Sequence, residues 1–150
     1  MYRIGVDLGG TNISVGVVDE DFNIIGRGKT KTNSPRPAEE IFEDIAKCIS
    51  MAADDAGISL DDVNVIGVGT PGSVNDETGY IDYSNNLRFD KVPAKQMLEE
   101  LTGKPCFFAN DASCAALGEL YAGAGKGCKN LIAITLGTGV GSGIVIDGKV

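Results

Sequence analysis

The chain has 150 residues, the length of about one domain, with 43% hydrophobic and 23% charged residues, which excludes disorder and collagen-like repeats. Its 13 Lys and Arg against 21 Asp and Glu leave a net charge of −8, poorly matched to a phosphate backbone, so nucleic acid is not an expected partner. Histidine is absent, which excludes Ser-His-Asp and Cys-His catalysis and His-ligated zinc within these residues.

Residues 2–7, 13–19 and 23–31 read as short strands, with Glu20-Asp21 at the second turn, so an antiparallel meander is expected first. Ser34-Pro35-Arg36-Pro37 breaks it. From Ala38 to Ala56, apolar Ile41, Phe42, Ile45, Ile49, Met51 and Ala52 recur near the helical period, and Gly57 suits a C-cap. Val63 to Val68 is apolar apart from Asn64 and Gly67, the pattern of a strand buried on both faces. Residues 70–90 predict a long functional loop with a short hairpin around Glu77-Thr78-Gly79. Pro93 to Leu101 predicts a short helix, Cys106 to Ala109 a strand, and Asp111 to Ala122 an Ala-rich helix. Gly123 to Gly127 is a hinge candidate. Leu131 to Leu136 and Gly143 to Ile146 are the last strands, and Asp147-Gly148 is a type I′ hairpin signal.

Cys48, Cys106, Cys114 and Cys128 form no C-x-x-C pair. Asp7 comes too early for a secretory h-region, and no apolar run approaches the ~18 residues of a membrane span. The cysteines therefore read as reduced, buried small hydrophobes in a cytoplasmic protein with no membrane partner.

Residues 4–19 and 132–147 align without gaps, and six of the sixteen positions are identical. Each copy reads strand, glycine-rich turn, strand, so two similar halves are expected to offer one hairpin each to a shared cleft. A glycine-rich turn lets backbone N–H groups close on an anion. Thr11 and Thr138 add hydroxyls, and Asp7 adds a carboxylate that could hold Mg²⁺ through water. Gly67 to Gly72 fits G-x-G-x-x-G, but no helix is expected after it, so it is not a dinucleotide fingerprint. Asp111 either caps the following helix or stands as a carboxylate at a strand's C-terminal end, where α/β proteins bind ligands. Asn110 and the Asn85-Asn86 loop would line a polar pocket suited to hydroxyls.

Asp7-Leu8-Gly9-Gly10-Thr11-Asn12, Gly69-Thr70-Pro71-Gly72, Asn86-Leu87, Asn110-Asp111-Ala112, Leu117-Gly118-Glu119 and Leu136-Gly137-Thr138-Gly139-Val140-Gly141 occur in that order. As a set they resemble the ROK family of bacterial sugar kinases, glucokinase-like members especially, within the hexokinase and actin-like superfamily. The resemblance implies an α/β fold of the ribonuclease H-like (actin/hexokinase) type, a mixed sheet with flanking helices. It implies an N-terminal kinase domain over residues 1–122, then a hinge and the first hairpin of a second domain over 123–150. The implied activity is ATP-dependent phosphorylation of a hexose primary hydroxyl, with glucose favoured. Asp111 matches the catalytic base and a sugar contact. Asn110 and Asn86 match sugar-hydroxyl ligands, and Gly72 a backbone position close to the sugar. Gly9, Gly10, Thr11, Asn12, Gly137, Thr138 and Gly139 match the phosphate turns, and Asp7 the acid near Mg²⁺.

The family's zinc motif and most of its adenine pocket would follow Val150. Zinc is therefore expected only there, and these 150 residues alone are expected to show little kinase activity. The implied partners are a sugar and ATP, in a homodimer when full length. Two alternatives are a sugar-responsive ROK-type transcriptional regulator and an actin-like ATPase. Met1 leading straight into a strand, where such regulators carry a winged helix, disfavours the first. Asn110-Asp111-Ala112 disfavours the second.

Overall fold

Alternation of apolar and small residues drives the first sheet. In β1 (Tyr2–Leu8) Ile4, Val6 and Leu8 are buried, and in β2 (Asn12–Val18) Ile13, Val15 and Val17 are. The two strands pair antiparallel, and β2 pairs antiparallel with β3 (Ile24–Lys31). On its other side β1 runs parallel to β4 (Val63–Thr70), so the sheet is mixed. These features belong to a computed structural model, which describes residues 1–137 and 139–150.

The order across this sheet is β3-β2-β1-β4-β8, and β8 is Cys106–Asn110. Ile66 and Val68 of β4 are buried, but Asn64 and Gly67 are exposed. Val68, Gly69 and Thr70 are buried in succession, so the expectation of burial on both faces holds at that end of β4 and fails before it, at Asn64 and Gly67.

Helix α1 (Ala38–Ala56) covers the sheet with Ile41, Phe42, Ile45, Cys48, Ile49, Ala52 and Ala53. Met51, expected on that face, points away and is half exposed. Gly57 ends the helix at φ 68°, with its N–H on the Asp54 carbonyl and the Ile58 N–H on the Ala53 carbonyl, a Schellman cap. The buried positions of β3 are Gly26 and Gly28, and a Cβ on either would overlap the helix backbone at Ala52 or Cys48. Their lack of a side chain is what lets α1 lie directly on the strand.

Residues 70–90 are not a long loop. They build a three-stranded antiparallel sheet of β5 (Ser73–Asn75), β6 (Tyr80–Ser84) and β7 (Phe89–Val92), with the expected turn at Glu77-Thr78-Gly79. Ile81, Leu87 and Phe89 anchor it to the same core as α1. Helix α2 (Ala94–Thr102) follows.

The chain divides into two compact units, Met1–Ala109 and Asn110–Val150. In the second, α3 (Asp111–Ala122) packs Ala116 and Leu120 against Val145 of the antiparallel ribbon β9 (Leu131–Leu136) and β10 (Val140–Val145). Gly143 again carries the helix, since a Cβ there would overlap the Ala112 carbonyl. The other face of the ribbon presents Ile132, Ile134, Leu136, Val140 and Ile144 to solvent. Asp147 and Gly148 both adopt positive φ, and Ile146 bridges Lys149, as the type I′ signal predicts.

The two repeated hairpins differ in register. Leu8 pairs with Ile13, whereas Leu136 pairs with Val140, one residue earlier than the gapless alignment requires. No helix of the described residues is long and apolar enough to cross a membrane.

Cys48, Cys106 and Cys128 are free thiols. Cys48 and Cys106 are buried, and burial pushes both thiols up, Cys106 to about 11. Cys114 is half-buried and Cys128 is exposed, so the expectation of four buried small hydrophobes fails at Cys128.

Candidate active site

The first glycine turn lies between β1 and β2. The Gly9 N–H donates to the Asn12 carbonyl at 2.9 Å, which closes the turn. A Cβ on Gly10 would come within 3.2 Å of the Asn86 Cβ and 3.3 Å of the Asn86 carbonyl oxygen. Within the first unit, the fold therefore brings the expected phosphate turn against the expected sugar loop. Leu87, fully buried, pins that loop from below.

Thr11 and Asp7 are exposed, Asp7 at a β1 position opposite Ser14 and Gly69. Among the described residues no group of three or more His, Cys, Asp or Glu is placed to cage a metal. One carboxylate beside a phosphate turn suits a Mg²⁺ held mainly by phosphates and water.

Gly72 takes φ 109°, a region that disfavours side chains. A Cβ there would overlap the Tyr83 carbonyl and meet Ser84 Cα at 2.9 Å. The turn after β4 is thus seated directly on β6, and it leads into a strand, which confirms that G-x-G-x-x-G here opens no dinucleotide helix. The Thr70 and Ser84 hydroxyls are buried without a hydrogen-bond partner among the described residues.

In the second unit, the capping question has a definite answer. Asn110 is the N-cap of α3, its Oδ1 accepting from the N–H groups of Ala112 at 3.0 Å and Ser113 at 3.4 Å. Asp111 stands one residue on, exposed in the first turn, with Oδ1 accepting from its neighbour Ala112 N–H at 2.8 Å. Gly137 and Gly139 form the second turn, closed by a 2.9 Å hydrogen bond from the Gly137 N–H to the Gly139 carbonyl. Thr138 lies outside the described residues.

The sequence reading missed one group of residues. Thr32, fully buried, donates its Oγ1 to the Gly9 carbonyl at 2.6 Å and its N–H to the Thr11 carbonyl at 3.0 Å. Ser34 Oγ donates to the Asn86 carbonyl at 3.0 Å. Arg36 Nε donates to the Thr32 carbonyl at 2.8 Å, and its guanidinium pairs with Asp44. The only sequence signal was the polar, proline-rich break after β3, which marks a loop but not its contacts.

The Arg36 hydrogen bond, and then that of Lys47, holds the Asp44 carboxyl below its ordinary value of 3.8. A depressed carboxylate stabilises the fold above its unfolded pKa, and that stabilisation disappears as pH falls through the folded value. Asp44→Asn is therefore expected to lower the melting temperature at neutral pH. The gap between variant and wild type should close as pH drops below about 4. Thermal melts across pH test this, and a gap that persists in acid would refute it.

The chain is 39% identical over 149 residues to a glucokinase from Halalkalibacterium halodurans, covering 99% of this chain and 45% of that protein. A crystal structure of a Streptomyces griseus ROK family glucokinase with glucose and AMPPNP superposes with a TM-score of 0.90 at 39% identity, covering 99% of this chain and 46% of that one. A polyphosphate/ATP-glucomannokinase from Arthrobacter gives a TM-score of 0.85 at 32% identity, over 99% and 59%. The chain thus spans under half the length of either of these two glucokinases. Residues 3–150 match the ROK family, and with this mixed sheet and paired glycine turns the chain belongs to that family.

Proposed function

We propose that the chain carries the base and the phosphate turns of an ATP-dependent hexose kinase. The observation that supports this most is the division of labour at the start of α3. Asn110 supplies the side-chain cap, and the Asp111 carboxylate, whose Oδ1 also accepts from the Ala112 N–H, stays exposed at the C-terminal end of β8. In this reading Asp111 accepts the proton of the sugar's primary hydroxyl. That oxygen attacks the γ-phosphorus, and the bond to the ADP oxygen breaks.

Phosphoryl transfer needs mainly positioning and charge stabilisation. Backbone N–H groups at Gly10 and Thr11, and at Gly139 in the second turn, would face the phosphates, while the N–H groups of Gly9 and Gly137 close the two turns. Asn86, Asn110 and the Gly72 backbone would hold the sugar. Mg²⁺, where bound, would neutralise phosphate charge, and Asp7 is the residue in this chain suited to hold it through water. The similarity to a glucokinase complexed with glucose and AMPPNP supports glucose and ATP as the substrates.

The test is ADP release by the complete protein with glucose, mannose, fructose and N-acetylated hexoses. Sugar-dependent release, strongest with glucose, is expected. No acceleration by any hexose would overturn the reading.

A further inference from the structure

The segment from Thr32 to Pro37 links β3 to α1 and touches both substrate loops of the first unit. Its Thr32 end binds the glycine turn through two hydrogen bonds, to the carbonyls of Gly9 and Thr11. Its Ser34 end binds the Asn86 carbonyl. Arg36, only 18% exposed, ties the Thr32 carbonyl to Asp44 on α1. The carbonyls of a phosphate turn must point away from the phosphates for its N–H groups to point toward them. Thr32 engages two of those carbonyls from the rear, one with its side chain and one with its backbone.

We propose that Thr32 and Ser34 are positioning residues. Thr32 fixes the first glycine turn for the nucleotide's phosphates, and Ser34 fixes the Asn86 loop for the sugar. This rests on the kinase reading above. Because each hydroxyl serves a different loop, the two should separate kinetically. A purely structural strap would not sort its effects by substrate.

The experiment is steady-state kinetics of the complete protein with both substrates varied. Loss of one hydrogen bond in Thr32→Val is expected to raise the KM for ATP by about threefold to tenfold. The sugar KM should stay within about twofold of wild type. Thr32→Ser keeps the hydroxyl and should restore the ATP KM. Ser34→Ala should show the opposite pattern, raising the sugar KM and sparing that for ATP. Equal changes in both KM values, or a lowered melting temperature with unchanged kinetics, would overturn the proposal.

If wild type phosphorylates no hexose, the kinase reading fails by itself. Titration with a non-hydrolysable ATP analogue then decides for Thr32. Weaker binding by Thr32→Val with rescue by Thr32→Ser supports its role. Equal binding by wild type and variant, including none by either, overturns it.

Discussion

Asp111→Asn in the complete protein is expected to lower kcat by about 10²–10⁴-fold, the range a general base contributes, with sugar affinity nearly unchanged. The amide has the same shape and keeps an oxygen for hydrogen bonding, but it cannot take a proton. The local structure makes the result readable. The helix cap belongs to Asn110, which the substitution leaves in place. What α3 loses is one negative charge in its first turn, worth about 0.3–1 kcal/mol against the helix dipole. A collapse of turnover with a nearly unchanged melting temperature would therefore report chemistry. Kinetics, sugar calorimetry and thermal melts check it together. A kcat within tenfold of wild type would remove Asp111 from the base role.

The second large effect is structural. Gly72→Ala meets two costs at once. Its φ of 109° lies where a side chain is strained, about 1–3 kcal/mol. Its Cβ would also press into the Tyr83 carbonyl and Ser84, which are backbone atoms of β6 and cannot swing aside. A total of about 3 kcal/mol or more is expected, or a melting temperature lower by roughly 6–12 °C. Gly103 provides the comparison. It sits at φ 67° with nothing near its Cβ position, so Gly103→Ala should bear only the backbone strain, of order 1 kcal/mol. Equal losses at the two positions would show that the packing of the Gly72 turn on β6 is not tight.

Much of this was readable from sequence, and the misses have common causes. The bounds of α1 follow from its apolar period and Gly57, and both matched the structure. The small sheet was missed because its strands are three to five residues long, and Arg88 and Lys91 interrupt the pattern with positive φ. Gly26, Gly28 and Gly143 carry no hydropathy, so the closest helix contacts leave no apolar signal. The Thr32 and Ser34 bonds span 23 and 52 residues in sequence, beyond any local periodicity. At the candidate site, residue types and spacing indicated which groups could do chemistry. They left open whether Asp111 caps α3 or stands as a carboxylate at the end of β8, and they did not point to Asn110 as the cap, because that depends on backbone angles.

The solvent-facing side of the β9–β10 ribbon has a colloidal consequence. Ile132, Ile134, Leu136, Val140 and Ile144 form an oily strip that Ser142 interrupts on β10, and each, being partly covered already, would gain part of the about 1.5–3 kcal/mol that burying a fully exposed side chain yields. Such a strip is a sticker. In dilute buffer it favours clustering of these 150 residues with one another, and at an air–water interface it favours adsorption. Dye-binding and light-scattering signals from preparations of the chain alone would then report that strip, whatever the state of the sheet around Asp7.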